Sequence, residues 1–488
     1  MLYNASPPQI DWTAILPVMI VAGTGILALI PEILFPRRNN TYVVAISLIG
    51  LAIAGTLVVT QYGQANGQTF GRMVKNDEFG LTMQLLIVGA TFIAVLFSDG
   101  YLREKRIPFG EFYPLILWSA VGAMVMSTTS NLLMIFLGVE ILSISLYVLA
   151  GMSRSEEKSE ESALKYFLLG AFASAFLLYG IALTYGATGT LDLTQVGWAW
   201  GTKDTTTQTL LLFGLGLMLI GLSFKASFVP FHQWTPDVYQ GAPTNVTTFM
   251  ASASKIGAFG ALVRVLDGFT GGDLATYWIP ALFWIAILTM TVGNIIAVVQ
   301  KDVKRILGYS SIAHAGYMLV AILAHYKDPE HVTLSTLVYY LFSYSLMTIG
   351  AFAVVSLVAK GGKEGTRLRD LYGLWQRSPL AAGALVLFVA SLIGIPPTSG
   401  FFGKLLIFSD ALTSGLTPLA IVLAVNSIIS VYYYLGIARA VFVVDEGAEK
   451  TQSSKVHSGL ALACLLCSAG VIGLAVFFTP IVNYLSVK

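Results

Sequence analysis

The chain has 488 residues, of which 56% are hydrophobic and 11% charged, with a mean hydropathy of +0.76. Soluble domains carry about 25% charged residues, so this chain cannot cover itself with a hydrated surface and lipid must be its main solvent. A net charge of +2 gives no reason to expect nucleic acid, and two cysteines cannot alone hold an iron–sulfur cluster or a four-ligand zinc site.

The amino terminus, Met1 to Asp11, lacks the basic region of a cleavable signal peptide, so the first apolar run is expected to stay in the mature protein. A helix needs about 20 mainly apolar residues to cross a bilayer. By that measure the spans in chain order are Ile15–Phe35, Tyr42–Tyr62, Phe79–Phe97, Phe112–Ser127, Leu132–Met152, Ala163–Gly186, Thr209–Pro230, Thr244–Leu266, Tyr277–Val299, Ile306–His325, Thr333–Ala359, Pro379–Ser414, Pro418–Val443 and Ser458–Tyr484. The seventh runs into Pro230 and Pro236, and the twelfth contains Gly394-Ile395-Pro396-Pro397 followed by Gly400 and Gly403. Proline removes a backbone hydrogen bond and clashes with the preceding turn, so both spans should be interrupted. Cys464 and Cys467 fall inside the last apolar run and read as two small apolar residues on a helix. The longest polar stretches, Gly63–Glu78, Thr188–Gln208 and Lys360–Ser378, read as short connections.

Lys and Arg are distributed unevenly between the two sets of loops. Arg37, Arg38, Arg103, Lys105, Arg106, Arg154, Lys158, Lys301, Lys304, Arg305, Lys360, Lys363, Arg367, Arg369, Arg377, Arg439, Lys450 and Lys455 follow odd-numbered spans. Only Arg72, Lys75, Lys203, Lys327 and Lys488 lie on the other side. The positive-inside rule then puts the odd loops in the cytoplasm and both termini outside.

Five basic residues and one notable acid remain within the spans: Lys165, Lys225, Lys255, Arg264, Lys404 and Glu140. A charge at a helix centre costs about 2.5–3.5 kcal/mol on insertion scales, and such residues mark ion pathways by default. Arg264 is near a span end, can snorkel, and is given no role. Glu140 is apolar-flanked in Leu137-Gly138-Val139-Glu140-Ile141-Leu142; the plain alternative is an acid that anchors two helices. Lys225 lies five residues before Pro230, where freed carbonyls could solvate an ammonium. Its alternative is a lysine that merely satisfies those carbonyls. Lys404 repeats the pattern after Pro396-Pro397, and His314 lies on the tenth span. Lys255, on the eighth, could relay between the two halves. Lys165 has Glu161 one turn before it, so an ordinary i,i+4 pair competes with a place on the proton path. His232, in Pro230-Phe231-His232-Gln233-Trp234, is a candidate relay because histidine changes charge near neutral pH; His325, His331 and His457 read as bystanders.

Glu140 to Lys225 and His314 to Lys404 are stretches of nearly equal length, each joining a span to the broken span two further on. That is the pattern of an internal repeat of five helices, which must invert across the membrane because five is odd. Paired broken helices in corresponding positions point to an ion site. The expected fold is therefore an all-α polytopic membrane protein with about 14 transmembrane helices in one membrane domain, 1–488. It would contain two inverted five-helix repeats, 112–266 (spans 4–8) and 277–443 (spans 9–13), with helices 7 and 12 broken. No haem or metal-ligand spacing, nucleotide loop or nucleophile constellation is visible.

The run from Phe224 to Thr244, FKASFVPFHQWTPDVYQGAPT, resembles the antiporter-like membrane subunits of respiratory complex I. Its ending, P-D-V-Y-x-G-A-P-T, is similar to the N type of bacterial NADH:quinone oxidoreductase, the counterpart of mitochondrial NADH dehydrogenase subunit 2. Asn131 to Gly151, Lys304 to Tyr317 and Gly394 to Lys404 extend the likeness from the fourth span to the thirteenth. The resemblance implies that Glu140 is the fifth-helix acid, Lys225 the seventh-helix lysine, Lys255 the eighth-helix lysine and Lys404 the twelfth-helix exit residue. A lysine there fits the N or L types rather than M. The stop at Lys488, without a long lateral helix, argues against L. Lys165 matches a sixth-helix lysine of N subunits.

The resemblance further implies protons moved from cytoplasm to outside across a bacterial plasma (inner) membrane, driven by quinone reduction elsewhere. No cofactor is expected in this chain; NADH, FMN, iron–sulfur clusters and quinone belong to partner subunits. The expected partners are membrane subunits of the A, H, J, K, L and M types, the peripheral arm and the bilayer. A subunit of a multi-subunit sodium/proton antiporter is the leading alternative. A solute transporter and a structural membrane spacer fit the string of charges less well.

Overall fold

A computed structural model describes residues 10–34, 41–64, 67–105, 107, 110–154, 156–202, 204–360, 363–444 and 457–486. Phe35, Arg37, Arg38, Arg106, Lys203, Lys450, Lys455, Lys488 and the start of the amino-terminal stretch lie outside them. The helices in chain order are α1 Leu16–Leu34, α2 Thr41–Gln61, α3 Glu78–Glu104, α4 Phe112–Ser127, α5 Leu132–Ala150, α6 Glu157–Thr188, α7 Leu193–Thr202, α8 Thr205–Ala226, α9 Trp234–Gly241 and α10 Thr244–Ala251. They continue as α11 Ala253–Asp267, α12 Ala275–Val298, α13 Val303–Lys327, α14 Ser335–Ser356, α15 Leu374–Arg377, α16 Pro379–Ile393, α17 Ser399–Thr413, α18 Thr417–Phe442, α19 Ser458–Val476 and α20 Phe478–Ser486. Two small antiparallel hairpins complete the fold, β1 Gly67–Thr69 with β2 Val74–Asn76 and β3 Ala359–Lys360 with β4 Lys363–Glu364.

Among the described residues, twelve helices are long and apolar enough to cross a membrane, α10 and α11 together making one of them. The fourth and twelfth expected spans fall instead on the shorter apolar helices α4 and α16. The chain is thus an all-α polytopic membrane protein. Its helices sort into an inner set and an outer ring. α10–α11, α13 and α14 are almost wholly enclosed, whereas α1, α2, α6, α12, α18 and α19 are buried over little more than a third of their length or less. The ring turns large apolar side chains outward, among them Ile33, Phe172, Trp284 and Ile428, as lipid contact demands.

Both expected interruptions are present. α8 ends at Ala226 with Ser227 left-handed (φ 68°), and the chain passes a cis Val229–Pro230 bond before α9 begins. α16 ends at Ile393 with Gly394 at φ 91°, and a cis Pro396–Pro397 bond precedes α17. Two glycines make the second break possible. Gly394 adopts the left-handed conformation that only glycine takes freely, and a Cβ on Gly400 would lie 1.9 Å from the Ser391 carbonyl oxygen.

Four features depart from the sequence reading. The eighth span is also broken, at Ser252 (φ −116°, ψ −90°), between α10 and α11. No proline marks it; the Thr248 and Ser252 hydroxyls each donate 2.7 Å bonds to the carbonyl four residues back, a pattern that bends helices. The connection Thr188–Gln208 holds a further helix, α7, with Trp200 buried and Trp198 outside. The connection Gly63–Glu78 carries the β1–β2 hairpin, which hangs on the turn after α4 through Lys75 N to Thr128 O. Finally, Arg264 does not snorkel. It is buried, donates to Asp77 through both terminal nitrogens (2.6 and 2.5 Å) and to Ser127 O, and stacks over Phe79. Asp77, the N-cap of α3, explains this: it is an acid far away in sequence that fixes an arginine the sequence showed alone.

Candidate functional site

Two clusters of polar side chains lie inside the helical body. In the first, Lys225 sits in the last turn of α8 and is buried. Its ammonium donates to the Ser143 hydroxyl and to the Tyr166 hydroxyl, 2.9 Å each, and lies 5.2 Å from the Tyr166 ring centre. The carbonyls freed at the break are taken by others: Phe224 O accepts from the Trp234 indole at 2.9 Å and Ser223 O from Phe228 N at 2.8 Å. Lys225 is therefore not held there to satisfy the broken helix. Trp234 also stacks on Tyr166, fixing the phenol over which the lysine lies.

Glu140 is one turn before Ser143 on α5 and is partly buried between Leu137 and Ile141, both outward-facing. It accepts a short hydrogen bond from Ser174 on α6. The acid and the lysine thus occupy the same stretch of α5, each with its own hydroxyl partner rather than as a contact ion pair.

The second cluster gathers Lys255, His314 and Lys404, all buried. Lys255, one turn past the Ser252 break, donates to Ser311 O (2.7 Å) and Ser311 Oγ (2.6 Å) and lies 5.5 Å from the Tyr344 ring centre. His314, three residues further along α13, has Tyr340 OH at 2.9 Å from Nδ1 and Tyr434 OH at 3.1 Å from Nε2. Lys404 on α17 reaches back across the second break to the last carbonyls of α16, Leu392 O at 3.0 Å and Ile393 O at 2.9 Å. Its ammonium is 5.3 Å from the Tyr317 ring centre.

Lys165 and His232 stand apart from both. Lys165, partly exposed at the start of α6, pairs with Glu161 (2.7 Å) as the i,i+4 spacing anticipated, and also with Asp237 of α9 (2.8 Å). Asp237 in turn binds Arg305 of α13 at 2.6 Å. Lys165 therefore belongs to an ionic link that ties α6 to α13 through the segment after the first break. His232 lies in the turn between α8 and α9, and its Nδ1 is buried without a partner.

Sequence reasoning missed a stripe of hydroxyls on α14, Thr336, Tyr340, Ser343 and Tyr344, which share one face at helical spacing. It also left Lys304 in a loop. Lys304 is fully buried at the start of α13, donating to Ala242 O (2.6 Å) and Glu364 (3.0 Å). Glu364 also accepts from Tyr101 and from the Thr244 hydroxyl (2.8 Å). Burial pushes the Glu364 carboxyl up, but Lys304, Tyr101 and Lys105 outweigh it and hold the group below its ordinary range. The signal available was Lys304's place two residues past a helix N-cap, Asp302.

Helices broken around buried lysines define an ion-handling class of polytopic membrane proteins. The sequence model of the family "NADH:quinone oxidoreductase/Mrp antiporter, TM" matches residues 129–430, more than half of the chain. The chain belongs to this family. It is 41% identical to NADH-quinone oxidoreductase subunit N of Trichlorobacter lovleyi over 94% of this chain and 93% of that protein. It is 42% identical to NADH-quinone oxidoreductase subunit N 2 of Koribacter versatilis over 98% and 96%. Among solved structures it is similar to a chain of respiratory complex I from Thermus thermophilus, with a TM-score of 0.82 and 35% identity over 96% of this chain and 99% of that one. The Mrp complex of Dietzia sp. shares the fold, with a TM-score of 0.81 at 20% identity over 98% of this chain and 96% of that one.

Proposed function

We propose that this chain is the N-type proton-translocating subunit in the membrane arm of an NADH:quinone oxidoreductase, carrying protons from cytoplasm to outside. One observation carries the reading: three lysines, Lys225, Lys255 and Lys404, are buried beside helix breaks, and among the described residues none has a carboxylate in contact. A permanently charged lysine so placed is costly unless paired. A lysine that loads and releases a proton spends part of its cycle neutral. Tyr166 and Ser311 give protic contacts to the Lys225 and Lys255 amines, and Tyr340 and Tyr434 give them to the His314 ring.

In this reading a proton enters near the first break and loads Lys225, whose hold on it depends on the distance to Glu140. It passes by way of Lys255 and His314 to Lys404 and leaves outward. Glu140, Lys225, Lys255 and Lys404 are the carriers and modulator; His314 is a relay. Lys165 holds the ionic link at Asp237, and His232 is the candidate at the entrance. Residues 112–266 and 277–443 are the two inverted repeats, α4 and the α16–α17 pair complete fourteen crossings, and the termini face outward from the inner membrane. The partners are the other membrane subunits, of the A, H, J, K, L and M types, and the peripheral arm. Those subunits carry NADH, FMN, iron–sulfur clusters and quinone, and quinone reduction there supplies the driving force.

The test is Glu140→Gln in the assembled complex, which should depress protons moved per NADH oxidised. Undiminished pumping with normal assembly overturns the assignment. Sodium/proton exchange by membranes lacking NADH oxidation would favour the antiporter reading instead.

A further inference from the structure

Beyond Lys404, the seam between α14 and α17 carries polar groups for which packing gives no reason. α17 runs outward and α14 inward, so the hydroxyl stripe of α14 lies alongside the residues that follow Lys404. Gly403 packs on the Tyr340 ring, where an added Cβ would come within 2.5 Å. One turn outward along α14, Thr336 offers its hydroxyl to Asp410. Asp410 is on α17, six residues and so about 9 Å of helix beyond Lys404. Its Oδ2 is buried with no hydrogen-bonding partner. A carboxylate in such a place is expensive, and an orphaned buried oxygen calls for a functional explanation.

The next residue outward on α14's first turn, Ser335, lines a cavity of about 200 Å³ on the outer side. Glu78, Thr82, His325, Tyr62 and Tyr484 share that lining. Tyr340, which holds His314 Nδ1, thus stands at the inner end of this seam, and a cavity with two titratable groups, Glu78 and His325, at its outer end. Asp410 lies between them.

We propose that Asp410 is a proton-carrying residue of the outer half-channel, taking the proton from Lys404 and releasing it into the cavity lined by Glu78 and His325. The transfer breaks an N–H bond of the Lys404 ammonium and forms an O–H bond on Asp410, leaving a neutral amine and a neutral acid. The second step breaks that O–H bond and delivers the proton to water in the cavity, restoring the carboxylate. Thr336 positions the carboxyl so that Oδ2 is free to receive. This inference rests on the proton-carrier reading of the chain and names its exit.

Asp410→Asn, Asp410→Glu, Thr336→Val and Glu140→Gln would be compared in the assembled complex in native membranes, measuring proton translocation and NADH oxidation together. Asp410→Asn should slow proton translocation by about tenfold or more, Asp410→Glu should restore it, and Thr336→Val should fall between. Normal translocation in Asp410→Asn beside a defect in Glu140→Gln overturns the exit proposal alone. Normal translocation in both overturns the proton-carrier reading as well. Should the variants fail to assemble, the unaltered complex can be treated with a hydrophobic carbodiimide, which modifies protonated buried carboxyls, and its peptides mapped. Modification at Asp410 is expected; a modified Glu140 peptide with an untouched Asp410 peptide overturns the proposal.

Discussion

Lys225 and Lys404 occupy matching places beside the two helix breaks, yet opposite chemistry holds them. Lys404 is caged by two backbone carbonyls at the C-terminal end of α16, where the helix dipole adds negative potential. Carbonyls only accept, so this cage suits an ammonium. Lys225 is held by two side-chain hydroxyls, of which that of Tyr166 can both accept and donate. Its surroundings can therefore accommodate an amine in either state. The plain alternative raised from sequence, a lysine that satisfies broken-helix carbonyls, is wrong for Lys225 and describes half of what Lys404 does. Similar sequence context does not fix which groups a lysine meets.

A further buried lysine sharpens the contrast. Lys304 is as deeply buried as the other two but has a carboxylate partner, Glu364, at 3.0 Å, so it reads as a fixed charge. Replacing Lys304 by Met would leave the buried Glu364 without its ion-pair partner, at a cost of up to about 3–5 kcal/mol. We expect the largest loss of assembled complex here, seen as loss of this subunit on detergent extraction. If Lys225→Met destabilised the complex as much as Lys304→Met, the distinction between carrier and structural lysines would break.

The next effect separates the two break lysines directly. Lys404→Met strands Leu392 O and Ile393 O in an apolar interior, at about 1–3 kcal/mol for each unmade bond. Lys225→Met leaves two hydroxyls that can turn to nearby carbonyls. Both variants should stop pumping, but thermal denaturation of the purified complex should come earlier for Lys404→Met. Equal melting would show that the carbonyl cage contributes nothing.

A smaller effect concerns Arg264, on the same helix as Lys255 but bound to an acid. Burial raises the Asp77 carboxyl, yet Arg264 and Lys75 prevail and hold it down to about 2 from 3.8. Because the folded value is the lower one, the pair's contribution is complete above pH about 4 and is lost as the pH falls towards 2. The shift corresponds to about 2 kcal/mol. Asp77→Asn should lower the melting temperature at neutral pH and flatten its fall between pH 4 and 3. An unchanged acid limb would remove Asp77 as its cause.

These cases show how much could be read from the chain. Glu140, Lys225, Lys255 and Lys404 stood out because a charge in an apolar run is conspicuous, and the two breaks because Pro230, Pro236, Pro396 and Pro397 have one backbone meaning. The Ser252 break and the α14 hydroxyl stripe did not stand out. Hydroxyls are cheap in membrane helices, since they can bond the carbonyl four residues back, so their presence says little until neighbours are known. Arg264 was misread for another reason: Asp77 lies far away in sequence, and pairing across that distance leaves no local trace. The same holds for Asp237, which joins Lys165 to Arg305.

The smallest effects test which hydroxyl matters to Lys225. Ser143 already donates to Val139 O at 2.5 Å, so towards the lysine it can act only as an acceptor unless that bond breaks. Tyr166 has no such commitment, and its O–H can turn to meet the lone pair of a neutral amine. Losing either partner removes one hydrogen bond to Lys225, at about 1 kcal/mol, and Ser143→Ala also removes the bond to Val139 O, so Ser143→Ala and Tyr166→Phe should both lower stability slightly. Their effects on proton transfer should differ. Tyr166→Phe deletes the group that can follow both states of the lysine and should slow pumping several-fold, whereas Ser143→Ala should leave it near normal. Equal pumping rates in the two variants would mean that the reversible partner of Lys225 is not a protein hydroxyl, and the contrast with the carbonyl cage of Lys404 would lose its functional meaning.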